Sequence, residues 1–401
     1  MKEPPKKQEY ALAYTWLTLQ GAVVSEPDEL LAEPVRRAGI GSKKVQKDLT
    51  ALIEQQRFAD LDVAHRALPV EDMRRKVWIN LDQSSTVWVT SWPAGDAYLS
   101  NPEFLEVASF YFGQPSPICR HAVGRPIGRT GIVLDAYGLR LTTAALPDDG
   151  WRTQHDALKW RLHQDAREMA VRHRTEVYGL FSSCMPQHSR SRAACMPPRK
   201  RQGMVPDFIF NIALDGPERE LLFELKTLHV GTSTYRGSDH RCAAVAQRAR
   251  ALPAEYAAKA RRVDRQFCNT VPGSIGPMET KLRTYDPVRG LVFGAWGEAS
   301  PDVERLLSVF AATGAERHWR ELGSTSQLEA RGALAWLLRR RWAMTAIRES
   351  ARLKLERMEH VGVGACFAAD RRVSALSTST RRSACSVWQG PRLPSGGRGD
   401  V

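Results

Sequence analysis

Long apolar runs are missing from this 401-residue chain: no stretch approaches the about 18 consecutive residues that cross a bilayer. No membrane association is therefore expected. The charged start Met1-Lys2-Glu3 has no apolar segment behind it, so no secretory signal is expected either. Cysteine is sparse and unpatterned. The seven residues Cys119, Cys184, Cys195, Cys242, Cys268, Cys366 and Cys385 are odd in number, widely spaced and free of any CxxC pair. That excludes a disulfide framework and points to a reducing, intracellular setting. Cys184, His188 and Cys195 lack the paired spacing of structural zinc and read as loop residues. Acid is also short: 44 Asp and Glu stand against 58 Lys and Arg, a formal net charge of +14. Such a charge implies a polyanionic partner or an acidic membrane surface without choosing between them. What remains is ordinary, with 43% hydrophobic and 25% charged residues. This excludes a wholly disordered chain, a collagen and a coiled coil. The length suits roughly two domains of about 100–200 residues.

Apolar periodicity supplies the elements. Residues 1–75 read as helical, with Tyr10 to Leu19 apolar-rich and Val45, Leu49, Leu52 and Ile53 at helical spacing. Val87 to Trp92 reads as a short strand or an irregular segment. Asn101 is the expected cap of a helix with Pro102 in its first turn. Residues 112–150 form a Gly/Pro-rich connection. Leu158, Leu162, Ala166 and Met169 mark a helix from Trp151 to Val171. Thr175 to Phe181 is a candidate strand, and 182–203, basic and without acid, an exposed loop. Asp207 to Leu214 and Leu221 to Leu228 flank the turn residues Asp215-Gly216-Pro217-Glu218 and predict a β-hairpin. A basic helix interrupted at Pro253 covers 241–267, a buried strand follows at Gly290 to Trp296, and helices follow over 301–312 and 328–358. From about Asp370 Ser, Arg, Gly and Pro dominate, which predicts disorder.

The hairpin carries the chemistry. Side chains alternate along a strand, so Glu224 and Lys226 share a face. A two-residue loop at Asp215-Gly216 pairs Asp207 with Glu224; a four-residue loop over 215–218 pairs it with Lys226. In either register two carboxylates and an ammonium converge, with strands about 4.5–5.5 Å apart. Adjacent carboxylates repel, and a divalent cation relieves that cost. Mg²⁺ favours such oxygen donors together with water and substrate phosphate. It acidifies bound water and offsets charge building on phosphorus, while a neighbouring lysine orients the water or stabilises the anion. The bland alternative is an edge hairpin carrying a surface Glu–Lys ladder.

Pro206, Asp207, Glu224 and Lys226 resemble the motif of the PD-(D/E)xK nuclease superfamily. The resemblance implies a restriction-endonuclease-like α/β (α+β) fold, a mixed sheet flanked by helices. It assigns metal binding to Asp207 and Glu224, adds the Leu225 carbonyl as a ligand, and gives Lys226 the attacking water. The motif is short: the chain holds four Pro-Asp dipeptides and two Glu-x-Lys triplets. More narrowly, residues 76–345 resemble the endonuclease region that follows reverse transcriptase in non-LTR retrotransposons. Ser91 to Phe104 is similar to the linker there. Cys119 and His121 stand near its Cys/His knuckle, a degenerate one here. Gln154-His155-Asp156 stands where an Arg-His-Asn/Asp helix motif is expected. Tyr256, Lys259 and Arg262 fit its Lys/Tyr helix, and Gly290 to Gly297 its closing strand. The polymerase itself is absent. Phe58-Ala59-Asp60-Leu61-Asp62 has its second aspartate displaced by Leu61 and reads as a helix end.

The expected organisation is a mainly helical region over 1–145, a restriction-like nuclease domain over 146–360 and a disordered basic tail over 361–401. The expected function is a metal-dependent DNA endonuclease of retroelement origin using Mg²⁺ or Mn²⁺. Asp207, Glu224 and Lys226 are its catalytic candidates. Lys259, Arg262, Arg199 and Lys200 are expected to grip the backbone. His155, Asp156 and Tyr256 are accessory candidates, with Asp165, Glu168 and Glu176 as substitutes. Arg339 to Arg357 holds a second basic stretch. DNA is the expected partner, with RNA as the alternative and a separately encoded reverse transcriptase as a protein partner. Arg199-Lys200-Arg201 is a weak nuclear address, relevant in a eukaryote. The rival readings are an inactive nucleic-acid-binding remnant and an interaction scaffold. Oligomeric state, target sequence and strand preference stay open.

Overall fold

The computed structural model describes residues 45–91, 95–147, 150–194, 204–231, 234–235 and 240–362. The stretch Tyr10 to Leu19, Cys195, Arg199, Lys200, Arg201 and the tail from residue 363 lie outside the described residues. The protein is a mixed α/β structure built on one four-stranded mixed sheet. Its strands are β1 (His173–Thr175), β2 (Phe208–Ile212), β3 (Arg219–Thr227) and β4 (Arg289–Phe293), in spatial order β1-β2-β3-β4. The first three are antiparallel, and β4 runs parallel to β3.

The helices, in chain order, begin with α1 (Val45–Arg66), α2 (Met73–Asn80), α3 (Val87–Thr90), α4 (Asn101–Tyr111) and α5 (Leu139–Thr143). They continue with α6 (Gly150–Glu168), α7 (Gly179–Ser182), α8 (Gln187–Ala194), α9 (Ala243–Phe267), α10 (Pro277–Leu282), α11 (Pro301–His318) and α12 (Gln327–Arg357). None among the described residues is long and apolar enough to cross a membrane.

Strand alternation distributes the core between two faces. Phe208, Phe210, Phe223, Leu225 and Phe293 face α6, α11 and α12, packing on Leu158, Leu162, Phe310 and Trp342. Ile209 and Leu222 point the other way, onto Tyr256, Ala260 and Val263 of α9 and Met278 of α10. The even–odd split is the period-2 pattern of a sheet buried on both sides. Burying a phenylalanine here is worth about 1.5–3 kcal/mol.

Helix α9 runs unbroken through Pro253, where an interruption was expected. Proline removes one backbone bond. In return Val245, Ala249, Leu252, Tyr256, Ala260, Val263 and Phe267 form one continuous buried stripe. Gly290 lets that helix lie close on β4: a Cβ there would come within 2.7 Å of the Ala249 Cα.

Other expectations are corrected locally. Val87 to Thr90 is helical, with Val87 buried. The cap of α4 is Ser100 rather than Asn101; its N–H donates to Glu103 Oε2 at 2.7 Å, a reciprocal bond Asn101 cannot make from inside the helix. The strand expected over 175–181 stops at Thr175 and gives way to α7, because Phe181 turns inward against Met204 and Val263. The basic loop over 182–203 contains helix α8. Val361, expected in the tail, bridges to Ile127.

The tight turn after β4 is held by a buried acid. Glu298 Oε1 accepts from the Tyr235 hydroxyl at 2.5 Å, and its Oε2 accepts from the Trp296 N–H at 3.0 Å. Burial pushes the Glu298 carboxyl up to about 8. A carboxyl raised on folding stays protonated while the unfolded chain ionises, so stability falls as pH rises from about 4.5 to about 8. Thermal melts across that range should show the fall, and Glu298→Gln should flatten it. An unchanged slope in the variant would refute the assignment.

Candidate functional site

The hairpin adopts the register that pairs Asp207 with Glu224. Phe208 stands opposite Phe223 and Ile212 opposite Arg219, so the next pair beyond the ladder is Asp207 and Glu224. The connection is longer than either predicted loop, because pairing stops at Ile212 and Arg219. Asp207 sits one residue before β2, where its side chain takes the place of a strand partner: Oδ2 accepts from the Leu225 N–H at 2.8 Å. The Leu225 carbonyl leaves β3 on the same edge.

Three elements close around the two carboxylates. Helix α6 brings His155, whose Nε2 lies 3.4 Å from Asp207 Oδ2, while its Nδ1 lies 3.2 Å from Asp156. Helix α9 brings Tyr256, whose hydroxyl donates to Glu224 Oε2 at 2.5 Å. Strand β3 supplies Lys226, whose ammonium is 2.5 Å from Glu224 Oε1. Lys259, one turn beyond Tyr256, feels the charges of Glu224, Lys226 and Asp207.

Electrostatics follow from this packing. Burial alone would push the Asp207 carboxyl up, but the His155 bond and charge, the Leu225 N–H and Lys226 outweigh it and hold it below the ordinary range. Burial would lower His155; Asp207 and Asp156 reverse that and raise it. Burial, reinforced by Glu224, keeps the Tyr256 phenol protonated and a donor. Burial lowers Lys259, against the pull of Glu224.

The donor set suits a hard divalent cation. Two carboxylates and a backbone carbonyl are oxygen ligands. Asp207 Oδ1 accepts no hydrogen bond from the described residues, which leaves it open for coordination. Among the described residues no group of three or more His, Cys, Asp and Glu side chains is placed to hold a metal. Any ion here would rest on two carboxylates and water, as magnesium commonly does.

The other candidates fall in different places. Asp156 pairs with Lys159 at 3.1 Å, and Lys159 bridges on to Glu176 at 2.6 Å. Sequence reasoning passed over Lys159; its position one turn after His155 and Asp156 was the available signal. Arg262 is exposed on α9, and Arg261 pairs with Glu279. Cys119 is fully buried and His121 exposed, so the two do not present a joint face. Asp165 is fully buried against Trp342 and Arg341, and Glu168 also pairs with Arg341. Both brace helices rather than the hairpin. The second basic stretch is largely internal: Lys354 and Arg357 are buried, and Arg339 and Arg352 are held by Glu304 and Glu103. Comparison of the chain with family models, curated proteins and solved structures gives no match.

Proposed function

We propose that the protein is a Mg²⁺- or Mn²⁺-dependent nuclease of the restriction-endonuclease-like kind, with DNA as its substrate and a retroelement ancestry. One observation carries the reading: Asp207 falls opposite Glu224 at the next position of the hairpin register, held by the Leu225 N–H, with Lys226 against Glu224. A metal held by Asp207, Glu224 and the Leu225 carbonyl would acidify water and offset charge on phosphorus. In this reading Lys226 leaves Glu224 to position the water, and Lys259 stands by the developing anion. His155 fixes the Asp207 rotamer, and Tyr256 fixes Glu224. The exposed Arg262 faces solvent, where a backbone phosphate can reach it.

A second reading has its own support. Both Glu224 oxygens are already satisfied by Lys226 and Tyr256. The same groups then form a self-neutralised hairpin in a nucleic-acid-binding remnant without catalysis.

Plasmid nicking separates the two. With Mg²⁺ or Mn²⁺ the purified chain should nick supercoiled DNA, and a chelator should stop it. Lys226→Met should reduce the rate about a hundredfold while leaving DNA binding within about twofold. Salt-sensitive DNA binding without cleavage in either metal would select the remnant.

A further inference from the structure

A cavity of about 420 Å³ opens between α2 and the first turns of α9, beside the hairpin but outside it. Arg75, Lys76, His240 and Arg248 line it, and no carboxylate does so among the described residues. Its walls are apolar and amide: Ile79, Leu228 and Asn80 are all buried there. Arg75 is pinned by the carbonyls of Arg66 and Leu68 at 2.7 Å, so its guanidinium is pre-positioned. Lys76 and Arg248 reach outward to the exposed acids Glu71 and Glu255, which a ligand phosphate can replace.

The cavity and the hairpin site are built on the same two elements. The Leu228 N–H still donates to the Phe293 carbonyl at 2.8 Å, so the strand direction persists past β3. Leu228 then lies two residues beyond Lys226 on the same face, roughly 7 Å along. Arg248 and Lys259 are eleven residues apart on α9, roughly 16 Å along the helix and within about 20° of one another around it. The cavity and the Glu224–Lys226 pair thus lie along one strand and one helix.

We infer that this cavity is a nucleotide subsite: it takes one unstacked nucleotide of a single strand whose neighbouring phosphate lies at the hairpin. The inference rests on the nuclease reading for its second half. The cationic rim fits the sugar-phosphate, and the apolar and amide walls fit a base. A duplex is far too wide to enter, so the preferred substrate is single-stranded, flapped or frayed DNA.

Binding of a short fluorescent oligo-dT to the full chain, in chelator, tests this without catalysis. The double variant Lys76→Ala/Arg248→Ala should lose about tenfold in single-strand affinity and flatten the salt dependence by about one to two charges. Ala251→Trp, which fills the cavity, should lose as much. Should that variant fail to fold, Gln247→Trp occludes the mouth from an exposed position. Blunt duplex affinity should stay within about twofold. Unchanged single-strand binding would overturn the subsite, and so would an equal loss for duplex, which would mark a general basic surface. Normal plasmid nicking with unaffected binding would defeat the subsite alone. Absent nicking with the expected binding losses would defeat the cleavage reading alone.

Discussion

Replacing Asp207 by asparagine is expected to reduce metal-dependent nicking by about a hundredfold or more. Asparagine keeps an oxygen to accept from the Leu225 N–H, so the hairpin edge should persist. What it removes is charge: a bound cation would lose one of two carboxylates, and His155 would lose one of its two counter-ions, the one at 3.4 Å from Nε2. The second loss gives a readout independent of cleavage. Asp207 is held below its ordinary range, so its contribution is present above the unfolded value and fades as pH falls through the folded one. His155 is raised, so its contribution is complete below its ordinary value and fades as pH rises through the raised one. The pair therefore stabilises most between about pH 4 and 6.5. Denaturation of wild type and Asp207→Asn should differ by roughly 1–2 kcal/mol in that window and less on either side. Histidine NMR titration should show His155 moving down in the variant. A variant that nicks at the wild-type rate would sink the catalytic role, whatever the titration shows.

The parts of this molecule written in local periodicity were legible. The stripe Leu158, Leu162, Ala166 marked α6, and period-2 alternation marked β2 and β3 with Glu224 and Lys226 on one face. The site was legible for the same reason: a hairpin joins residues close in sequence, so a short motif contains its own geometry. His155 and Tyr256 could be nominated only by resemblance, since α6 and α9 reach the hairpin through tertiary packing. Features that depend on a distant partner were hidden. Phe181 ends a run that looks like a strand because it turns into a core formed by α9 and α10. Pro253 does not break α9, because the buried stripe outweighs one missing bond. The charges of α12 looked like a nucleic-acid surface, yet Lys354 donates to the Tyr137 carbonyl and Arg357 to the Leu141 and Thr142 carbonyls. Charge counted along a helix does not reveal which cations are consumed inside the fold. Those left near the hairpin and the α2–α9 cavity are fewer than the net charge suggests.

Asp165→Ala is expected to be the most damaging of the non-site substitutions. The Asp165 carboxylate is fully buried between α6 and α12, accepting from Trp342 Nε1 at 2.8 Å and from Arg341 at 2.7 Å. Burial raises its carboxyl even though Arg161 and Arg341 oppose the shift. The net worth of such a buried ion pair against an apolar replacement is small. Deleting one partner is different, because the indole N–H and the guanidinium stay inside with nothing in the carboxylate's place. Glu168 retains part of Arg341, so the loss should be about 3 kcal/mol, toward the low end for broken buried pairs. Asp165→Asn, which keeps an acceptor for Trp342, should cost about half of that. Urea denaturation would report both as lower midpoints with unchanged slope. A loss below about 1 kcal/mol for the alanine variant would mean that the two helices are held by apolar packing alone. The same variant also isolates the chemistry. Asp165 lies ten residues from His155, roughly 15 Å along α6. If the hairpin edge is what cleaves, the folded Asp165→Ala protein should nick DNA within a few-fold of wild type while Asp207→Asn, the less destabilised of the two, should not.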